Sequence, residues 1–179
     1  RYRLTFLLAQ LCAKTGESDK ASSLFRKVIG MNPPYEVEFN ARINLAGAFN
    51  PERENPANVI RELVKMTRNP KNSDYLDQIY YALAGIAMKD GRKEEAVSYY
   101  KKSASASKRN TSQKGKSYLA LADYYYSIPD YFSAGLYYDS ALVFLGNKFP
   151  GFETLKSKSS NLNKLVTQLS VIQREDSLR

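Results

Sequence analysis

Apolar and small residues recur along this chain at helical spacing, and over residues 80–141 the pattern is written twice. Tyr80-x2-Leu83-Ala84-x2-Ala87, then Ala96-x3-Tyr100, returns 38 residues later as Tyr118-x2-Leu121-Ala122-x2-Tyr125, then Ala134-x3-Tyr138. The first part of each copy places its apolar residues at i, i+3, i+4 and i+7, one face of an α-helix. A fixed period of this length marks a helical repeat, in which each pair of helices buries its apolar face against the next. Alanines at 84, 96, 122 and 134 predict points where two helices cross too closely for larger side chains. The tyrosines and leucines fill the space on either side.

Weaker versions of the pattern occupy the rest of the chain. Residues 2–14 read as a helix with Leu4, Leu7, Leu8, Leu11 and Cys12 on one stripe, ended by Gly16. Ser18 or Asp19 is the expected cap of the next helix, where Ala21-x3-Phe25 repeats the motif, and Pro33-Pro34 closes the unit. In a second unit Ile43, Leu45, Ala46 and Phe49 fit a first helix. A long polar turn from Asn50 to Pro56 follows, with Pro56 placed to open a helix whose apolar face is Val59, Ile60, Leu63 and Val64. The Ala-x3-aromatic signature is missing there, which predicts irregular packing, and Asn69-Pro70 ends the unit. The third unit has Ser73 or Asp74 as its expected cap and Asp90-Gly91 as its inter-helix turn. After the polar connector 108–112, the fourth turns at Pro129-Asp130 and ends at Gly146-Asn147. Beyond Phe149-Pro150-Gly151 a helical stretch runs to the end, with Leu155, Leu162, Leu165, Leu169 and Ile172 spaced by threes and fours around Lys158. It reads as a helix capping the last repeat; a short coiled coil with another chain is the other reading. The boundaries are an array over 1–149, with units at 2–34, 36–70, 73–107 and 113–146, and a capping helix at 150–179.

Charge changes this picture in one place. The net charge is +9, and residues 89–116 hold nine Lys/Arg against three Asp/Glu. Lys89, Arg92, Lys93, Lys101 and Lys102 form a basic patch that would steer an acidic partner, nucleic acid or an anionic surface. No apolar run approaches the roughly 18 residues needed to span a bilayer. The chain opens at Arg1 inside a helical pattern and ends in another, which reads as a segment of a longer protein.

Candidate chemistry is sparse. The chain has no histidine, which removes the commonest general base and metal ligand. The lone Cys12 cannot form an internal disulfide and sits at a packed position of its helix. No phosphate-cradling glycine loop is present. Glu36/Glu38 and Glu94/Glu95 lie at helix starts, where they complement the helix dipole. Asn110-Thr111-Ser112 matches a glycosylation sequon. No catalytic, cofactor-binding or metal-binding residues are assigned, and no cofactor is expected.

The repeat resembles the tetratricopeptide repeat, whose signature is aromatic-x2-Leu-small-x2-aromatic on one helix and Ala-x3-aromatic on the next. In the first unit Leu8-Ala9-x2-Cys12, Ala21-x3-Phe25 and Pro33 match, with Thr5 in place of the first aromatic. The resemblance implies an all-α, right-handed helical solenoid of about four helix pairs plus a long C-terminal helix. It also implies a groove lined by the first helix of each pair. The groove stripe would be Arg3, Phe6 and Gln10; Asn40, Ile43 and Gly47; Gln78, Tyr81 and Met88; and Lys116, Leu119, Asp123 and Tyr126. Such a stripe suits a peptide or helix of a protein partner. A carboxylate clamp of the chaperone-binding kind is not matched, since only Asn44 fits it.

Residues 137–179 carry a narrower resemblance. Tyr137-Tyr-Asp-Ser-Ala-Leu-Val-Phe-Leu145, Phe149-Pro-Gly-Phe-Glu-Thr-Leu-Lys156, Asn163-Lys-Leu-Val166 and Val171 to Arg179 look like the repeat region of PorW/SprE-type lipoproteins. These belong to the type IX secretion and gliding machinery of Bacteroidetes. It implies a non-enzymatic scaffold on the periplasmic side of the outer membrane, held to the membrane only by a lipid anchor upstream of these residues and docking other machinery components. The single cysteine suits a periplasmic or a cytoplasmic setting. Two alternatives stay open: a basic solenoid binding nucleic acid or an anionic surface, and a structural domain whose groove is filled in cis.

Overall fold

The computed structural model describes residues 1–52 and 55–176, so residues 53–54 of the expected polar turn and residues 177–179 of the expected capping helix lie outside the described residues. The described residues are helical throughout, with no strand. They comprise α1 (Tyr2–Lys14), α2 (Ser18–Gly30), α3 (Tyr35–Gly47) and α4 (Pro56–Thr67), then a 3-10 helix (Pro70–Tyr75). After it come α5 (Leu76–Lys89), α6 (Lys93–Ala106), α7 (Thr111–Ser127), α8 (Tyr131–Leu145) and α9 (Phe152–Asp176). The architecture is all-α and of the tetratricopeptide-like solenoid kind. Among the described residues no helix is long and apolar enough to cross a membrane. The chain forms two compact units, 1–99 and 100–179, which divide within α6.

The first unit is built on α3, which feeds two cores. Its Ala41 and Leu45, with Ala48 just past its end, join Ala9 and Cys12 of α1 and Ala21, Phe25 and Val28 of α2. Its Phe39 and Ala46, with Phe49, join Val59 and Leu63 of α4 and Ile79, Leu83 and Ile86 of α5. The alanines of the repeat sit where they let helices approach: Ala9, Ala21, Ala84 and Ala96 are completely buried. Cys12 is buried too.

The leucine stripe of α1 departs from expectation. Leu4, Leu7, Leu8 and Leu11 are exposed, and the buried side of α1 is carried by Ala9 and Cys12, with Phe6 half-buried beside them. The side facing α2 and α3 uses the small residues because those helices are close.

Several helix starts also differ. Glu17, not Ser18 or Asp19, occupies the cap of α2, and no side chain bonds there. The link from α1 is too short for a separate cap: Gly16 turns at φ +84°, and Glu17 N–H reaches back to Cys12 O at 2.8 Å. Ser73 and Asp74 lie inside the 3-10 helix, which Asn69 caps by accepting from Lys71 N–H at 3.1 Å. Asn69-Pro70 therefore opens an element as well as following one. In α4, Asn55 accepts from Ala57 N–H at 2.8 Å ahead of Pro56 in the first turn.

In the second unit the core is Ala122 of α7, Ala134 and Tyr138 of α8, and Leu155 and Leu162 of α9. Asn110, read as part of a connector, caps α7 by accepting from Gln113 N–H at 3.1 Å. Asp130 caps α8 through Ser133 N–H at 3.0 Å. The first half of α9 covers α8: Ser159 donates to Asp139 at 2.5 Å, and Asn163 donates to the same carboxylate at 3.1 Å. Further along, Leu165, Leu169 and Ile172 are exposed.

Gly115 fixes how closely α7 and α8 pack. A Cβ there would lie 2.7 Å from Leu145 Cγ and 2.9 Å from Leu145 N, and the backbone atom cannot rotate away. Gly85, inside α5, has open space around it. Gly115→Ala is therefore expected to destabilise the second unit by about 1–3 kcal/mol. Gly85→Ala should stabilise the first by up to about 1 kcal/mol through helix propensity. Thermal melts of the two variants check this; equal shifts of the same sign would contradict the close approach at Gly115.

Candidate functional site

The first unit holds an open cavity of about 620 Å³ between α3, the 3-10 helix and the start of α5. Its wall from α3 is Tyr35, Glu36, Phe39 and Asn40; the opposite wall is Lys71, Tyr75 and Gln78. The 3-10 helix creates the second wall. By adding a tight turn ahead of α5 it brings Tyr75 to 5.1 Å from the Phe39 ring centroid. Tyr35 lies 6.5 Å from Phe39 on the other side and donates its hydroxyl to Asn72 Oδ1. Asn72 is buried and donates in turn to Met66 O at 2.8 Å. That chain of bonds holds the Tyr35 ring in place, with the Lys71 amine 5.8 Å from its centroid.

Chemically the cavity offers flat aromatic surface, two side-chain amides (Asn40 and Gln78), one cation (Lys71) and one carboxylate (Glu36). Asn40 Nδ2 is already used, donating to Glu36 O at 2.7 Å. Its own carbonyl oxygen and the Gln78 amide are suited to the main chain of an extended peptide, and the rings to an apolar side chain. Among the described residues no group of three or more His, Cys, Asp or Glu is placed to hold a metal. A neighbouring cavity of about 200 Å³ is lined by Arg42, Glu38 and Glu62. Those charges satisfy one another, with Arg42 at 2.8 Å from Glu38 and 2.9 Å from Glu62.

The structure divides the groove stripe. Asn40 and Gln78 line the cavity. Phe6, Ile43 and Leu119 pack onto the cores, Phe6 meeting Phe25 edge-on at 5.9 Å. Arg3, Gly47 and Lys116 are exposed, while Gln10, Tyr81 and Met88 are half-buried on α1 and α5. The remaining pair, Asp123 and Tyr126, is occupied by α9. Lys158 stands 4.3 Å from the Tyr126 ring centroid and 4.7 Å from that of Tyr138, and 3.5 Å from Asp123 Oδ1. Asp123 also accepts from the Tyr138 hydroxyl at 2.6 Å. Tyr126 thus has a packing role that its place outside the repeat signature concealed.

The basic patch is similarly divided. Lys89 donates to Gly47 O at 2.6 Å and Phe49 O at 3.0 Å. It caps the C-terminal end of α3, and burial lowers its pKa. Arg92 pairs with Asp90 at 2.7 Å and with Glu95. Lys93, Lys101 and Lys102 are exposed.

Tyr35, Phe39, Lys71 and Tyr75 were not singled out from the sequence. Their available signal was the Asn-Pro at 69–70, a combination that opens helical turns as readily as it ends them.

The tetratricopeptide repeat family model matches residues 2–35 and 77–110. The matches cover α1 with α2 and α5 with α6. Repeats of this kind mediate protein–protein contacts, and proteins built from them are typically non-enzymatic scaffolds. No curated protein matches the chain.

Tyr138 supplies a test of the α7–α8 contact. Burial, then the Asp123 carboxylate, raises its phenol pKa. A raised folded-state pKa contributes stability that is present below the ordinary tyrosine pKa of about 10 and is lost as pH rises beyond it. Tyr138→Phe should cost about 1.5–3 kcal/mol at neutral pH, as for a hydrogen bond to a charged group. It should also flatten the alkaline fall in stability. Parallel slopes for both proteins in chemical denaturation above pH 10 would contradict the Tyr138–Asp123 bond.

Proposed function

We propose that this chain is a protein-binding scaffold whose first unit takes an extended segment of a partner between α3 and α5. The observation that carries the proposal is the cavity walled by Tyr35, Phe39 and Tyr75 and edged by Asn40 and Gln78. It lies between α3 and α5, each read as the first helix of a pair and so on the face the tetratricopeptide resemblance would devote to a ligand, although the family match covers α5 and, of α3, only Tyr35. The favoured segment presents an apolar side chain to the rings and main-chain groups to the two amides. Lys71 and Glu36 leave the site near neutral, so selectivity comes from shape and hydrogen bonding rather than from net charge.

The likeness of residues 137–179 to PorW/SprE-type lipoproteins supports a finer role. The scaffold would link components of the type IX secretion machinery at the periplasmic face of the outer membrane. A groove filled in cis applies to the second unit, where Lys158 covers Asp123 and Tyr126. The basic nucleic-acid reading is weaker, because Lys89 and Arg92 are engaged within the fold.

Capture from a Bacteroidetes cell-envelope extract tests both levels. Tyr75→Ala with Gln78→Ala should reduce capture by about tenfold or more, as loss of an anchor does, while costing about 0.5–1.5 kcal/mol of stability for the lost Phe39–Tyr75 ring contact, with circular dichroism still showing a folded protein. Tyr126→Ala should leave capture unchanged. Equal capture by all three proteins would remove the α3–α5 site. Capture of proteins unrelated to secretion, still lost in the double variant, would keep the site and remove the secretion role.

A further inference from the structure

The second helix of each pair keeps one register. In α2, α4, α6 and α8 the fourth residue is Ala21, Val59, Ala96 and Ala134, and the eighth is Phe25, Leu63, Tyr100 and Tyr138. The second pair departs at both places. Val59 is larger than the alanine of the other pairs, where helices cross closely, and Leu63 is smaller than the ring that elsewhere fills the gap beside the crossing.

The departure extends to the side chains above. Tyr80 stacks on Tyr99 with centroids 6.3 Å apart, and 38 residues on Tyr118 meets Tyr137 at 6.1 Å. In the second pair the matching places hold Arg42, in Arg42-x2-Leu45-Ala46, and Glu62, which directly precedes Leu63. These two form an ion pair at 2.9 Å where the later pairs have two rings.

All of these replacements line one cavity. It has a volume of about 260 Å³ and lies between α2, α3 and α4. Ile29, Leu45, Val59 and Leu63 are its apolar floor, and Arg42 and Glu62 stand at its rim. An apolar cavity of roughly 150 Å³ holds a benzene molecule, so this one has room for a two-ring molecule. A flat ring would bury the floor as the tyrosines do in the later pairs, and a guanidinium is suited to the face of such a ring.

The rim narrows the choice of ligand. Arg42 is already bonded to Glu38 and Glu62, and Arg26, also at the rim, is engaged as well. Little charge is left for a charged ligand. Asn58 lines the cavity and makes no hydrogen bond among the described residues, so its amide can meet one ring N–H or O–H. A peptide would bring further main-chain groups that this rim does not match, and burying them unpaired is costly. A free ring brings none.

We propose that the α2–α3–α4 cavity binds a small, neutral aromatic molecule with a single polar group, of the indole or phenol kind. It shares no lining residue with the α3–α5 cavity, and the failure of either proposal leaves the other standing.

The test is a titration of indole into the 179-residue chain, followed by methyl chemical shifts. The shifts should move at Ile29, Leu45, Val59 and Leu63. Arg42→Tyr with Glu62→Tyr rebuilds the ring pair and should lower the affinity by about tenfold or more, the contribution of the apolar floor it covers. Glu62→Tyr alone, at an exposed position, should act in the same direction and carries the test if circular dichroism shows the double variant unfolded. Tyr75→Ala with Gln78→Ala should leave indole binding unchanged. N-acetyltryptophan amide, the same ring with main-chain groups attached, should bind more weakly than indole. No binding of indole overturns the proposal, as do shifts centred on the α3–α5 cavity or an affinity unchanged by the tyrosine substitutions. Tighter binding of N-acetyltryptophan amide would assign the cavity to a side chain of a partner protein and overturn it too.

Discussion

Close approach of helix pairs at small residues is the constraint from which the rest of the structure follows. Ala9 and Ala21 share one core and Ala122 and Ala134 another, each completely buried with only a methyl group for a side chain. At Gly115 even that is excluded by the backbone of Leu145. Dispersion attraction falls off steeply with separation, so a contact this close gains from many atoms at once and leaves no void. Larger residues then fill fixed gaps: Phe25 and Tyr138 are both completely buried.

This explains which parts of the fold were legible in the sequence. Alanine spacing identifies crossings directly, since little else favours a small residue at a regular interval on an apolar face. The direction of burial on α1 was not legible in the same way. Four leucines look more like a core face than Ala9 and Cys12 do, and hydrophobicity alone cannot say that proximity has selected the smaller set. Helix caps were obscured for a related reason. Ser18 has the right side chain, but the chain before it turns too tightly for a separate cap and a backbone bond takes its place; Ser73 lies inside a 3-10 helix that Asn69 already caps.

The candidate site shows the same division. Asn40 and Gln78 followed from the tetratricopeptide resemblance, and the cavity contains both. Its aromatic wall depends on a short 3-10 element whose existence rests on how Asn69-Pro70 folds, a local choice that periodicity does not encode. Lys158 was visible only as an interruption in an apolar stripe. Its partners are Asp123 and the rings of Tyr126 and Tyr138, from two other helices, and long-range pairing of this kind leaves no mark in local spacing.

Lys89 carries a consequence for recognition. Its amine ties the end of α5 to the last carbonyls of α3, while the Phe39–Tyr75 contact ties their beginnings. The two walls of the cavity are fastened at both ends and act as a preorganised cleft. For the partner segment proposed to bind there, the entropy cost of ordering would then fall mostly on the segment itself. A cleft of that kind discriminates by rigidity: a segment already extended binds it more tightly than a flexible one bearing the same side chains.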